Sequence, residues 1–276
     1  MRLKILKTLL FLLLTVLLVV SCSKKESNTN EEESTDLTVA NTQKSEEAEI
    51  NTDKALFIVE TAYTEIEEDT GRSMSLFSDC VIITISSENE VTFVTLDFGS
   101  GCELQNGNIV SGKIHITYTP IQNGTRTINY TFDDFTLNDN SVEGGGTLYR
   151  ERFNALGNPQ STFHHDILVT FTDGVTVTLN GVRVREWIEG VGSGVWMDNV
   201  FLVTGNWSVE VSTGFSRSAF VLEALRREAT CPFFVSGLVE VIRNQTTGTL
   251  DYGDGECDNI AILTVNGEEY TITLHP

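Results

Sequence analysis

The sequence predicts an all-β fold, an antiparallel meander of hairpins forming a curved sheet, sandwich or open barrel, with one N-terminal helix. Three observations predict it. Over much of the chain apolar and polar residues alternate, turn dipeptides recur at short intervals, and a single long segment carries helical spacing instead.

In chain order, residues 1–21 read as a signal peptide. Arg2, Lys4 and Lys7 precede an uncharged apolar run of thirteen residues, Thr8 to Val20. That run fits a signal h-region and falls short of the roughly 20 residues a membrane-spanning helix needs. Val19-Val20-Ser21-Cys22 resembles a lipobox, with a small residue before the cysteine that receives lipid. Cys22 is therefore the expected lipid attachment point and new N-terminus. Several acyl chains, at about 0.8 kcal/mol per buried methylene, make a stable anchor. Residues 22–51 are rich in Ser, Asn, Thr and Glu and almost free of large apolar side chains, the composition of a disordered tether.

Residues 52–276 are assigned to one all-β domain of two related halves. It opens with the helix, in which Leu56, Val59, Ala62, Tyr63 and Ile66 share a face, Thr52 or Asp53 supplies the cap and Gly71 the stop. Such a helix is expected to lie on the sheet as a lid. A second, short helical stretch is expected over 219–227.

The rest reads as strand and turn. Ile114, Ile116 and Tyr118 alternate with Lys113, His115 and Thr117, as do Val175, Val177 and Leu179 with Thr176 and Thr178, and Tyr270, Ile272 and Leu274 with Thr271 and Thr273. Period two puts each apolar set on one face. The dipeptides Asn123-Gly124, Asp173-Gly174, Asn180-Gly181, Gly205-Asn206, Asp254-Gly255 and Asn266-Gly267 predict tight turns between antiparallel neighbours.

Two segments echo each other: Thr95-Leu96-Asp97-Phe98-Gly99 leading to Cys102, and Thr249-Leu250-Asp251-Tyr252-Gly253 leading to Cys257. A weaker echo relates Asp133 to Glu143 with Asp198 to Glu210. Setting Cys22 aside leaves four cysteines, and an oxidising compartment favours bridges. Equivalent positions in the echo pair Cys80 with Cys102 and Cys231 with Cys257. A zinc site is the rival reading, against which stands the lack of any C-x-x-C pair.

The chain holds 18 basic and 39 acidic residues, and without residues 1–21 its formal charge becomes −24. Nucleic acid is excluded as a partner, since phosphate binding needs clustered Lys and Arg. Divalent cations, cationic ligands and neutral sugars stay open.

No catalytic constellation stands out, and no cofactor or metal is assigned. On a strand, His164 and His165 point to opposite faces and cannot share an ion. Asp251, Asp254, Glu256 and Asp258 cluster around two glycines as in a calcium loop, but the first echo keeps only Asp97, which favours a turn in which Asp accepts backbone hydrogen bonds. Gly190 to Gly194 reads as a flexible hairpin tip, flanked by Trp187 and Trp196, which are placed either on a half-buried sheet or stacked on a sugar.

The echoed segments, with Ser111-Gly112-Lys113-Ile114, Arg185-Glu186-Trp187-Ile188, Val235-Ser236-Gly237 and Val265-Asn266-Gly267, resemble a family of lipoproteins common in Bacteroidota, over about residues 75–276. The resemblance implies an outer-membrane location, periplasmic or surface-exposed, and supports the two bridges. It implies no activity.

The expectation is a membrane-anchored, non-enzymatic binding or structural module of the cell envelope, held through its N-terminal lipid, with a glycan or an envelope protein as partner. The alternatives are a hydrolase of polysaccharide or peptide, marked by two facing acids in a cleft, and a lipid or lipoprotein carrier, marked by an apolar, uncovered concave face.

Overall fold

Fourteen strands and one long helix make up the fold in a computed structural model that describes residues 37–68 and 74–275. The expected signal peptide, Cys22, the first part of the tether and the Gly71 stop lie outside the described residues.

The helix, α1 (Val39–Glu67), begins well before the predicted cap. Thr38 is the N-cap, its Oγ1 accepting from the Asn41 N–H at 3.3 Å. Asp53 lies mid-helix, where its carboxylate meets Arg227 at 2.8 Å. The chain from 39 to 51 is thus folded helix rather than tether.

All strand pairings are antiparallel, and the sheet runs β1 (Ile82–Glu88), β2 (Val91–Asp97), β4 (Ile109–Tyr118), β5 (Thr125–Leu137), β6 (Asn140–Glu151), β7 (Gln160–Thr170), β8 (Thr176–Glu189), β9 (Val200–Val211), β10 (Ser216–Glu228), β11 (Phe234–Arg243), β12 (Thr246–Asp254), β13 (Ile260–Val265) and β14 (Glu268–Thr273). The two-residue β3 (Cys102–Glu103) pairs with β4 off this path. β1 and β14 are the edges, so the sheet is a meander that does not close into a barrel. Asp173-Gly174 turns between β7 and β8 as predicted. Asn180-Gly181 and Gly205-Asn206 instead lie inside β8 and β9, and the helix expected over 219–227 is part of β10.

The sheet curls around α1. Strands as far apart as β4 and β14 both touch the helix, and residues 48 to 63 are buried on every side of it, which a flat sheet on one side does not give. Glycines at bulges supply the bend: Gly112 has φ +76° and Gly205 φ +128°, and at each a Cβ would come within 2.1 Å of a neighbouring strand's carbonyl oxygen, that of Asp134 or Val182. Leu56, Val59, Ala62 and Tyr63 enter the core as the helical spacing predicts. The opposite side of α1 is buried too: 20 of its 29 residues are buried, so it fills the concave face rather than covering it as a lid.

The two best echoed segments occupy matching hairpins. Cys80 precedes β1 and Cys102 follows β2, and the two are bonded, with Cα atoms 5.7 Å apart. Cys231 precedes β11, Cys257 follows β12, and they are bonded with Cα atoms 5.8 Å apart. In each, the Asp after Thr-Leu closes the turn: Asp97 Oδ1 accepts from the Gly99 N–H at 2.9 Å, and Asp251 Oδ1 from the Gly253 N–H at 2.8 Å. The weaker echo has no such match, since Asp133 to Glu143 spans β5 and β6 whereas Asp198 to Glu210 runs from a 3-10 turn into β9 alone.

Candidate functional site: a pocket at the end of the buried helix

Polar side chains line much of the interior. In β8, Val177, Leu179, Arg183, Arg185 and Trp187 all face inward because they share one parity of the strand. Arg183 and Arg185 therefore project toward α1 with no exposed surface. Along α1, Glu46, Glu49, Asp53 and Glu60 recur at intervals of three, four and seven, which is one helical stripe, and they meet the sheet's arginines. Arg217 lies 2.5 Å from Glu46 and 2.6 Å from Glu49, Arg183 3.5 Å from Glu49, and Arg185 3.4 Å from Glu60. Burial, with Glu49 beside it, pushes the Glu46 carboxyl up to about 7 against the pull of Arg217 and Tyr252. Burial also raises Asp53, but Arg185, Arg227 and Arg183 outweigh it and leave that carboxyl below its usual range.

At the C-terminal end of α1 this ladder reaches a pocket. Arg150 on β6 holds the helix there: its Nη2 donates to Glu68 at 2.6 Å, and its Nη1 to Ser161 at 3.0 Å and to Glu60 at 3.3 Å. Glu65 accepts from the Ser75 hydroxyl at 2.6 Å and the Leu76 N–H at 2.8 Å, and the Met74 N–H donates to the Gly194 carbonyl at 3.0 Å. The strap at 74–76 thus ties the helix to the β8–β9 loop.

Between these parts lies a cavity of about 240 Å³. Its floor is the last turns of α1, with Glu60, Thr61, Thr64 and Glu65. One wall is Trp187 and Phe201, stacked with ring centroids 5.9 Å apart, together with Trp196 and Pro159. Phe153, Met74 and Val191 form the mouth. Phe153 is 73% exposed and its loop neighbour Leu156 78%. Most of the lining is apolar, the usual character of a ligand site. The carboxylates Glu60, Glu65 and Glu68 already serve Arg150, Ser161, Ser75 and the Leu76 amide. Arg152, at the mouth, is exposed and makes no ion pair among the described residues.

Among the residues singled out in the sequence, Trp187 and Trp196 come together here, both nearly buried and lining the pocket rather than standing on an exposed tip. Gly190 to Gly194 is the loop that forms one side of it. The histidines diverge as expected: His164 is exposed, and His165 is buried, with its imidazole pushed down to about 3 by burial and, further, by Arg183 and His164. Asp251 and Asp258 serve their own turns, Asp258 Oδ1 accepting from the Ile260 N–H at 2.9 Å, and among the described residues no three His, Cys, Asp or Glu side chains converge as metal ligands. Glu60, Arg150, Arg152 and Phe153 carry no motif in the sequence. The one available signal was strand parity, which marks Arg150, two residues beyond buried Leu148, as inward-facing.

Compared with family models, curated proteins and solved structures, the chain matches none.

Proposed function

We propose that this protein is a secreted lipoprotein, anchored through lipid on Cys22 in the cell envelope, whose β domain is a non-enzymatic binding module with its ligand site at the C-terminal end of α1. The observation that carries the binding reading is the pocket: an apolar cavity lined by two tryptophans, open at a mouth of exposed apolar side chains. Large apolar groups left in water around a concave site mark a place where something docks. The basic leader, the apolar run and the Ser21-Cys22 junction support the anchor and an envelope location, the outer membrane being the favoured side.

The two alternatives are less well supported. The pocket carboxylates are engaged by arginine, serine and a backbone amide, which does not favour general acid–base work. The concave face of the sheet is filled by α1, whereas a carrier of whole lipids needs that face open.

Two measurements test the proposal. Metabolic labelling with palmitate is expected to mark the wild-type chain and not Cys22→Ala; equal labelling of both contradicts the anchor. Because Trp187 and Trp196 line the cavity, ligand entry is expected to change intrinsic fluorescence saturably. A flat response across sugars, peptides and apolar compounds contradicts the binding reading.

A further inference from the structure

The charge at the mouth of the pocket narrows its ligand, on the reading that the pocket is the binding site. We infer that it takes a single-chain amphiphile with one anionic head, a free fatty acid of medium length, with the hydrocarbon against Trp187 and Trp196 and the carboxylate on Arg152.

Size is the first argument. Sites for drug-sized ligands run from roughly 300 Å³ upward, and this cavity is about 240 Å³. A partly open cavity below the usual size for drug-sized ligands fits one short hydrocarbon chain better than two. Lining is the second argument. The inner end is bounded by aromatic rings, while the carboxylates of its floor are already hydrogen-bonded, so the deep part offers an apolar group contacts and a second polar group little. Arg152 is the third. It is the one exposed arginine or lysine among the described residues without a carboxylate partner; Lys44, Lys113, Arg126 and Arg226 each have one. An unpaired guanidinium at the rim of an apolar slot selects a head that is anionic and stays near water. The strongly acidic chain repels polyanions at long range, but a monoanion seated on Arg152 meets that charge first, with Glu60 and Glu68 on the floor offset by Arg150. Phe153 and Leu156, on the same loop, would lie along the emerging methylenes.

The test is a fluorescence titration of the purified chain with octanoate, decanoate, decanol, decyltrimethylammonium and octyl glucoside. Affinity is expected to rise about fourfold per methylene up to the length that fills the cavity. Decanoate is expected to bind about threefold to fivefold tighter than decanol at low salt, with the gap closing in Arg152→Gln and at high salt. Arg152 is a surface residue, so that variant keeps the fold. Equal binding of decanoate and decanol, or preference for the cation or the glucoside, overturns the inference and leaves the pocket as a binding site of other chemistry. No saturable response to any of the five also overturns the inference, and the binding reading falls with it only if the sugars and peptides give none either.

Discussion

The Arg217 guanidinium sits 2.5 Å from the Glu46 carboxylate, a pair 171 residues apart that joins β10 to the first half of α1 with both side chains out of water. Glu49 and the Tyr252 hydroxyl complete the cluster. Charges so placed are held by one another rather than by solvent, and the cost of removing one falls on those that remain.

Arg217→Ala is accordingly expected to destabilise the protein by about 3 to 5 kcal/mol, the usual cost of leaving a buried charge without its partner. Urea denaturation measures it. A loss under about 1 kcal/mol would mean that water reaches Glu46 and Glu49.

Glu46 also predicts a pH dependence. Its folded value near 7 lies above the ordinary 4.5, so between these limits the folded state binds more protons than the unfolded one, and this group's contribution is lost as pH rises toward 7. His165 opposes it: its folded value of about 3 lies below 6.5, so its contribution grows as pH rises through that window. Comparing Glu46→Gln with wild type isolates the first effect. The stability of the variant relative to wild type is expected to improve by on the order of 2 kcal/mol from pH 4.5 to pH 7. A difference that does not change with pH would refute the shift.

Replacing Cys231 and Cys257 with serine, or Cys80 and Cys102, frees a loop of 26 or 22 residues in the unfolded chain. Each removal is expected to cost roughly 3 kcal/mol, read as a lower denaturation midpoint. Non-reducing peptide mapping should find these two pairs and no other pairing of the four cysteines.

Gly205→Ala tests the bend. With φ at +128° and the Val182 carbonyl oxygen 2.1 Å from the Cβ position, alanine has neither the conformation nor the space. A loss of about 2 kcal/mol or more is expected. Gly157→Ala, with no atom within 4 Å of the Cβ position but φ at +87°, should cost about 1 kcal/mol, so the excess at Gly205 reports the close strand approach.

Much of the fold was legible because its signals are local. Alternation along β7 and β8 and the Asp173-Gly174 turn between them are set by residues within a few positions of one another. The echoed Thr-Leu-Asp segments placed both disulfides, since each bridge closes one hairpin and its cysteines are near in sequence. Residues 39–51 read as tether, though they are helix, for the opposite reason. Ser45, Glu46, Glu49 and Asn51 have the composition of a solvated tether, and nothing nearby announces that Arg217 waits on β10. Likewise Asn180-Gly181 and Gly205-Asn206 carry a turn signature but meet neighbouring strands across the sheet at close approach, where glycine is needed for space.

The sequence by itself determined the β class, the strand parity, four of the six turns it marked and the cysteine pairs, all of which depend on neighbours along the chain. Only the tertiary structure decided that α1 fills the sheet, that its acids face buried arginines, and that Trp187, Trp196 and Arg152 border one pocket. Those outcomes depend on which distant strands curl onto the same helix, and pairing between far-separated charges leaves no periodic trace in either partner's own segment.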